Sequence, residues 1–471
     1  MSKATIADYL IDHKKIQPIS FHMPGHKGRT DLYKRYGYGE FVRNMFGNDI
    51  TEIPGADALQ HPESTIRQVM ENYAELYGAL HTELLVGGSS VGLIASILAT
   101  VPRGGKLIVA RNAHKSVFSA LRLGGIRPVY IRPDTYGKVA LQGAVPPKAV
   151  REALEAHPDA CAVLITHPNY YGVLSNVERI ADIVHEYGLP LIVDQAHGAH
   201  LKFFDRTTIW KNAAENLGAD IAVNSTHKTL LSLTGSAILN VCSDRVDAEK
   251  LSAILRMLQT TSPSYLMMGS LDINEKILRQ GADELIGTWK EDLRYFYQTG
   301  GEVPGLRILA GDQMDLTKIN VSMADYGLTG TRLEQELRRE GIWTEMVHGD
   351  YVQLMTGIGN TRVDYQLALL ALDRIGRKYG VTGAPVHEED ELASFDLELR
   401  DVPIEREYVP LYRAEGRVAY EELIPYPPGI PVVCPGEVLS KDVVLYLQRL
   451  VLFGRTVLGV GDEAFICVGK E

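Results

Sequence analysis

Short, mainly apolar runs recur in the first half of the chain, at 83–86, 106–110, 127–131, 161–166, 189–193, 220–224 and 236–241, each after a helix-compatible segment. Runs of that length without polar alternation predict strands buried on both faces, and their alternation with helices predicts an α/β domain with a mostly parallel seven-stranded sheet. Ligands bind such sheets outside the carboxyl ends of the strands. From Gly269 the pattern changes to long amphipathic helices, as in Leu271-Asp272-Ile273-Asn274-Glu275-Lys276-Ile277-Leu278, and from about Leu306 to short strands and helices. The reading is an N-terminal segment at 1–60, a large domain at 61–300, a small α+β domain at 301–384, and an acidic connection with a C-terminal domain at 385–471. The connection, rich in acids and prolines and containing Glu388-Glu389-Asp390-Glu391, is expected on the surface. The uncharged stretch 84–101 approaches membrane-spanning length, but Gly87-Gly88-Ser89-Ser90 divides it into strand, turn and helix, so it reads as buried core.

With 471 residues, 45% hydrophobic and 23% charged, the chain can bury a large core. Its 48 basic and 59 acidic residues give −11 with no basic block, which argues against nucleic acid or a membrane surface as partner and for a small molecule. Cys161, Cys242, Cys434 and Cys467 are scattered without a Cys-x-x-Cys pair, disfavouring a disulfide scaffold or a cysteine metal site and fitting a reducing cytoplasm. Met1-Ser2-Lys3-Ala4-Thr5-Ile6-Ala7-Asp8-Tyr9-Leu10 has acids and no apolar core of signal-peptide length.

Chemistry enters at Lys228, which follows the apolar Ala222-Val223 in a cluster of hydroxyls and an imidazole, Asn224-Ser225-Thr226-His227-Lys228-Thr229. An amine there can form a Schiff base. Asp194 ends another apolar run ahead of Gln195-Ala196-His197. A lysine to hold an aldehyde and an aspartate to keep a pyridine nitrogen protonated are what a pyridoxal 5'-phosphate enzyme needs. Gly87-Gly88-Ser89-Ser90-Val91-Gly92 opens a helix-compatible segment, where glycines, hydroxyls and unpaired N–H groups suit a phosphate. The Gly-Lys-Ser/Thr ending of a nucleotide P-loop is absent. His114, just past the run 106–110, can stack on a flat ring. Each feature alone has a plainer alternative, a solvated loop lysine, a simple turn or a cap neighbour; their joint occurrence carries the reading. The spacings His22/His26 and His197/His200 could pair imidazoles on a metal, but neither has a convincing third ligand, and structural histidines bonded to backbone are expected.

The motifs Phe21-His22-Met23-Pro24-Gly25-His26-Lys27-Gly28, Asn112-Ala113-His114-Lys115-Ser116, Asp194-Gln195-Ala196-His197-Gly198-Ala199-His200, Ser225-Thr226-His227-Lys228 and Thr261-Ser262-Pro263-Ser264-Tyr265 resemble the Orn/Lys/Arg decarboxylase group of fold type I, aspartate aminotransferase-like enzymes. So do Ile424-Pro425-Tyr426-Pro427-Pro428-Gly429-Ile430-Pro431 and Pro435-Gly436-Glu437. The resemblance spans nearly the whole chain and is to a short form without a receiver-like N-terminal domain. It implies Lys228 as the Schiff-base lysine, Asp194 as the pyridinium partner, His114 as the stacking histidine and Ala196 beneath the opposite ring face. Ser89, Ser90, Ser225 and His227 would hold the cofactor phosphate, and Val91 is taken as a further cofactor-binding residue. It implies a homodimer or dimer-based oligomer in which Thr261 and Ser262 reach a neighbour's phosphate and the N-terminal motif helps join subunits.

Two departures stand out. Gln195 replaces a usual acid and is expected to alter surrounding hydrogen bonds, and Gly88-Ser89-Ser90-Val91 replaces a more usual Gly-Thr-Ser-Gly. The implied reaction is α-decarboxylation of arginine, lysine or ornithine, with Lys228, His227 or His197 returning a proton to Cα, and it suits polyamine synthesis or acid resistance. Alternatives on the same residues are an aminotransferase, aldol cleavage, elimination or cyclisation, or a non-catalytic cofactor-binding homologue. For the distal end of a basic substrate, Asp49, Thr51, Glu52, Asp57 and Glu437 are candidates.

Overall fold

The central sheet has seven strands in the spatial order His81–Leu85, Ala237–Val241, Ile221–Asn224, Leu191–Asp194, Ala160–Thr166, Lys106–Ala110 and Arg127–Ile131. This computed structural model describes residues 5–136, 141–207, 211–382, 395, 397–426, 430–452 and 454–470. Glu388-Glu389-Asp390-Glu391, Pro427-Pro428-Gly429 and Met1-Ser2-Lys3-Ala4 lie outside these residues.

The expectation of a mostly parallel sheet needs qualification. Four pairings are parallel, but Ala237–Val241 runs antiparallel to both its neighbours. An apolar run records burial on both faces and carries no direction. Direction is set by the connection, and the link from Ile221–Asn224 to Ala237–Val241 carries only the one-turn helix Thr226–Thr229, with no crossover helix to carry the chain back.

Helices Gly88–Thr100, Lys115–Gly124 and Ala248–Leu258 cover one face of the sheet, and Pro147–Ala156 and Val177–Glu186 the other. The stretch 84–101 is strand, turn and buried helix, and among the described residues no helix is long and apolar enough to cross a membrane. Beyond Gly269 the amphipathic pattern belongs to one 37-residue helix, Tyr265–Gly301, whose start is capped by the Ser264 hydroxyl accepting from the Met267 N–H. It packs along Arg362–Tyr379 of the small domain, whose four-stranded antiparallel sheet has the order Met346–His348, Tyr351–Met355, Lys318–Ser322, Arg307–Ile308.

The N-terminal strand Ile19–Phe21 pairs in parallel with Ile342–Thr344, which joins residues far apart in sequence to the small domain. The C-terminal region has its own core beneath helix Lys441–Leu452, with two antiparallel ladders, Arg406–Pro410 on Phe465–Gly469 and Ile424–Tyr426 on Thr456–Leu458.

Candidate active site

A cavity of about 480 Å³ opens at the carboxyl ends of the large-domain strands. Ser89, Ser90, His114, Asp194, Ala196, His197, Ser225, His227 and Lys228 all line it, so residues that follow four separate strands meet in one place. Thr261 and Ser262 are exposed and outside this lining, and Val91 points into the apolar core beside the sheet. The inclusion of Val91 is therefore corrected: one residue farther round the helix from Ser90 turns the side chain toward the sheet.

Lys228 sits in the one-turn helix Thr226–Thr229, half-buried and opening onto the cavity, with Nζ 3.0 Å from His197 Nε2. Burial pulls its ammonium down to about 8, against the pull of Asp194 and Glu345 and with help from Lys318. Asp194 ends its strand and accepts from the Ala196 N–H at 3.1 Å. Burial pushes its carboxyl up, while Lys228 and that N–H oppose the shift. His197, enclosed and close to Lys228 and Lys318, is held well below the ordinary histidine range and stays neutral.

His114 caps helix Lys115–Gly124, its Nδ1 accepting from the Ser116 N–H at 3.3 Å and lying 2.8 Å from Ser116 Oγ. That fixes the ring at the cavity wall. Burial first, then Lys228 and Lys115, bring its pKa down to about 4, so it is a neutral face and not a cation. His227 is likewise brought down to about 4 by burial, with Nδ1 2.8 Å from the Ser236 carbonyl.

At the other end of the cavity, Gly88 adopts φ +73, a left-handed turn that brings the chain from strand into helix Gly88–Thr100. The helix has no side-chain cap, so its first N–H groups face outward beside Ser89 and Ser90, and Ser225 Oγ donates to Ser89 Oγ at 2.9 Å. Three buried polar atoms of lining residues, His197 Nδ1, Thr166 Oγ1 and Gln353 Oε1, have no partner among the described residues. An anion-binding helix start, an amine, a carboxylate and a neutral flat ring around one volume, with polar atoms left to satisfy, fit pyridoxal phosphate.

Gln195 explains its departure from the acid expected there. Its amide nitrogen donates to Glu215 at 2.9 Å and to Asn224 at 2.8 Å, and its oxygen accepts from the Ala214 N–H at 2.7 Å. It lies outside the cavity lining and ties the Asp194 loop to the end of strand Ile221–Asn224, which leads into the Lys228 helix.

Several lining residues escaped the sequence reading: Met23, Tyr170, Glu345, Met346, Gln353, Ile424 and Leu458. Glu345 lies between two short strands of the small domain and accepts from the Met23 N–H at 2.8 Å. The His-Met-Pro-Gly-His motif reaches the site within its own chain. The Gly25 N–H donates to the His227 carbonyl at 2.8 Å, and the Gly359 N–H donates to the Gly25 carbonyl at 3.0 Å. A Cβ at Gly25 would stand 2.4 Å from the Thr229 carbonyl carbon.

None of the five candidates for the distal end of the substrate, Asp49, Thr51, Glu52, Asp57 and Glu437, lines the cavity. Asp57 accepts from the N–H groups of Ala58, Glu63, Ser64 and Ile66, and these bonds bring its carboxyl down to about 2 despite burial. Glu437 is buried on Arg111 at 2.9 Å, and Asp49, Thr51 and Glu52 are exposed outside the lining. Among the histidines with metal-like spacing, His22 and His26 do bond backbone, through the Met23 carbonyl and the Gly28 N–H. His197 and His200 instead meet side chains, Lys228 and Asp315. Among the described residues no group of three metal-ligating side chains comes together.

Residues 5–294 match the family described as Orn/Lys/Arg decarboxylase, major domain, and residues 396–463 match its C-terminal domain. The chain is 31% identical to a protein named arginine decarboxylase from Bacillus anthracis, covering 96% of this chain and 94% of that one. It is 33% identical to one of the same name from Halalkalibacterium halodurans, covering 97% and 95%. Lysine decarboxylase A from Pseudomonas aeruginosa shares the fold with a TM-score of 0.75 at 19% identity, over 98% of this chain and 80% of that structure.

Proposed function

We infer the chemistry of the site from the premise that this chain belongs to the Orn/Lys/Arg decarboxylase family. It is a decarboxylase of a basic amino acid with a fold type I large domain. We propose that arginine is the substrate, as named for relatives that align over nearly the whole chain, and that pyridoxal 5'-phosphate is held by Lys228. The observation that carries the reading is a lysine amine, lowered to about 8, in one cavity with Asp194, His114 and an uncapped helix start.

Bound there, the cofactor supplies a conjugated ring that accepts the electron pair left when CO₂ departs. Asp194 fixes a proton on the ring nitrogen. His114 and Ala196, both lining the cavity, would confine the ring between an imidazole and a small methyl. Ser89, Ser90, Ser225 and His227, with the helix N–H groups, would hold the phosphate. Lys228 is substantially neutral near pH 8 and serves as nucleophile, while the Lys228–His197 pair, 3.0 Å apart, returns a proton to Cα. Glu345, the one acid besides Asp194 among the described lining residues, receives the cationic end of the substrate. Met23, Met346, Ile424 and Leu458 cover the site and exclude water.

We also read the protein as a cytoplasmic homodimer or dimer-based assembly, with the exposed Thr261 and Ser262 completing a neighbour's phosphate site. One proton consumed per CO₂ suits polyamine synthesis and acid resistance alike. The test is to treat purified protein with pyridoxal phosphate and borohydride, map the modified residue, and record CO₂ and amine from arginine, lysine and ornithine. Modification at Lys228 with CO₂ from arginine supports the reading. Modification without CO₂ from any of the three rejects the assigned reaction.

A further inference from the structure

Behind the cavity lies a second group of ionisable side chains that the proposed reaction does not use. Lys318, the first residue of strand Lys318–Ser322, is 0% exposed. Its Nζ donates to Asp315 Oδ2 at 2.9 Å and to the His197 carbonyl at 2.9 Å. Asp315 Oδ1 lies 3.2 Å from His200 Nε2 and accepts from the Thr317 hydroxyl at 2.7 Å. Lys318, His200 and Lys228 together keep His197 and Asp315 in one continuous polar chain, Lys228 to His197 to Lys318 to Asp315 to His200, which crosses from the large domain into the small one.

A buried lysine–aspartate pair is a poor source of stability, because desolvation offsets its attraction and an apolar pair of similar volume does as well. Its geometry points to a different role. An apolar residue of similar length at 318 could fill the space but could not donate to the His197 carbonyl, and that carbonyl belongs to the residue whose ring faces the Lys228 amine.

Resting on the assignment of Lys228 and pyridoxal phosphate above, we propose that Lys318 is a positioning residue for the decarboxylation: anchored on Asp315, it fixes His197 in place against the Lys228 amine. It touches neither substrate nor cofactor. The charged and titratable groups acting on Lys228 are Asp194 and His197 from the loop after Leu191–Asp194, His114, His227, Glu345 and, at longer range, Lys318 itself. Of these, Asp194 and Glu345 favour the ammonium and Lys318 disfavours it.

The experiment compares the full-length wild type with the paired substitution Lys318→Met/Asp315→Asn, which removes both charges and leaves no lone buried ion. In cofactor-free protein, acylation of Lys228 is followed against pH by peptide mass spectrometry. The paired variant is expected to move the midpoint upward by about half a unit, since a nearby cation has gone. In loaded protein, kcat is expected to fall about ten-fold or more with KM for arginine little changed, because a displaced proton donor slows chemistry and leaves binding alone. If the paired variant does not fold, Lys318→Met/Asp315→Leu, which likewise leaves neither a lone buried ion nor a donor to the His197 carbonyl, is read the same way. Wild-type kcat in a folded variant overturns the positioning role, whatever the midpoint. A wild type that borohydride and pyridoxal phosphate fail to modify at Lys228 overturns the functional reading beneath it, and that outcome is visible before any variant is made.

Discussion

Lys228 and Lys318 both touch His197, one 3.0 Å from its ring and the other 2.9 Å from its carbonyl oxygen, yet their surroundings differ in what they leave free. Lys318 is sealed from solvent and its charge is met by a carboxylate at hydrogen-bonding distance. Lys228 opens onto a cavity, its nearest partner is a neutral imidazole, and its carboxylate neighbours act without a direct ion pair. A buried lysine saturated by an anion is a strut; one desolvated beside a neutral acceptor gives up its proton near pH 8 and becomes a nucleophile.

The contrast breaks first at Lys228 itself. Lys228→Ala is expected to abolish borohydride fixation of pyridoxal phosphate and to reduce CO₂ release by about a thousand-fold or more, measured on protein that keeps its wild-type circular dichroism. Next comes the acid across the cavity. Glu345→Gln should raise KM for arginine by about ten- to a hundred-fold, the worth of a charge-assisted hydrogen bond, while fixation at Lys228 continues. An unchanged KM would mean that the cationic end of the substrate lies elsewhere.

The pH dependence sharpens the distinction. The folded-state pKa of Lys228, about 8, lies below the ordinary 10.5, so the amine becomes neutral and reactive as pH rises through about 8. Between about 8 and 10.5 the unfolded chain holds the extra proton, and this group's contribution to stability rises with pH across that window. Acylation of Lys228 in cofactor-free protein should therefore have its midpoint near 8. A midpoint above 10 would place it with ordinary surface lysines.

The smallest effect is expected at the clasp that seats the Lys228 loop. Gly25→Ala puts a methyl against the Thr229 carbonyl carbon and should lower stability by about 1–3 kcal/mol, read as a reduced denaturation midpoint. Lys228 fixation should slow without being lost.

The large-domain half of the site was legible because each residue is announced by its own strand. Asp194, Lys228, His114 and Ser89-Ser90 all follow an apolar run, and in an α/β sheet the ends of such runs converge. The acids were misread for the opposite reason. Asp57 and Glu437 look like any free carboxylate in sequence, but one satisfies four N–H groups around the start of helix Thr65–Tyr77 and the other pairs with Arg111. Glu345 carries no local signal at all, since its position in the cavity depends on how the small domain seats against the large one.

The sequence by itself determined the strands, the residues at their ends and, through the joint pattern of its motifs, the family. These follow from local hydrophobic periodicity and from side-chain chemistry that needs no partner to be recognised. Only the tertiary structure decided that Ala237–Val241 turns back against its neighbours, that the motif around Gly25 clasps the Lys228 loop of its own chain, that Glu345 lines the site and that Lys318 grips His197 from behind it. The physical reason is that strand direction, burial of a charge and the state of an amine depend on groups brought close by folding, at separations of a few ångströms that sequence distance does not encode.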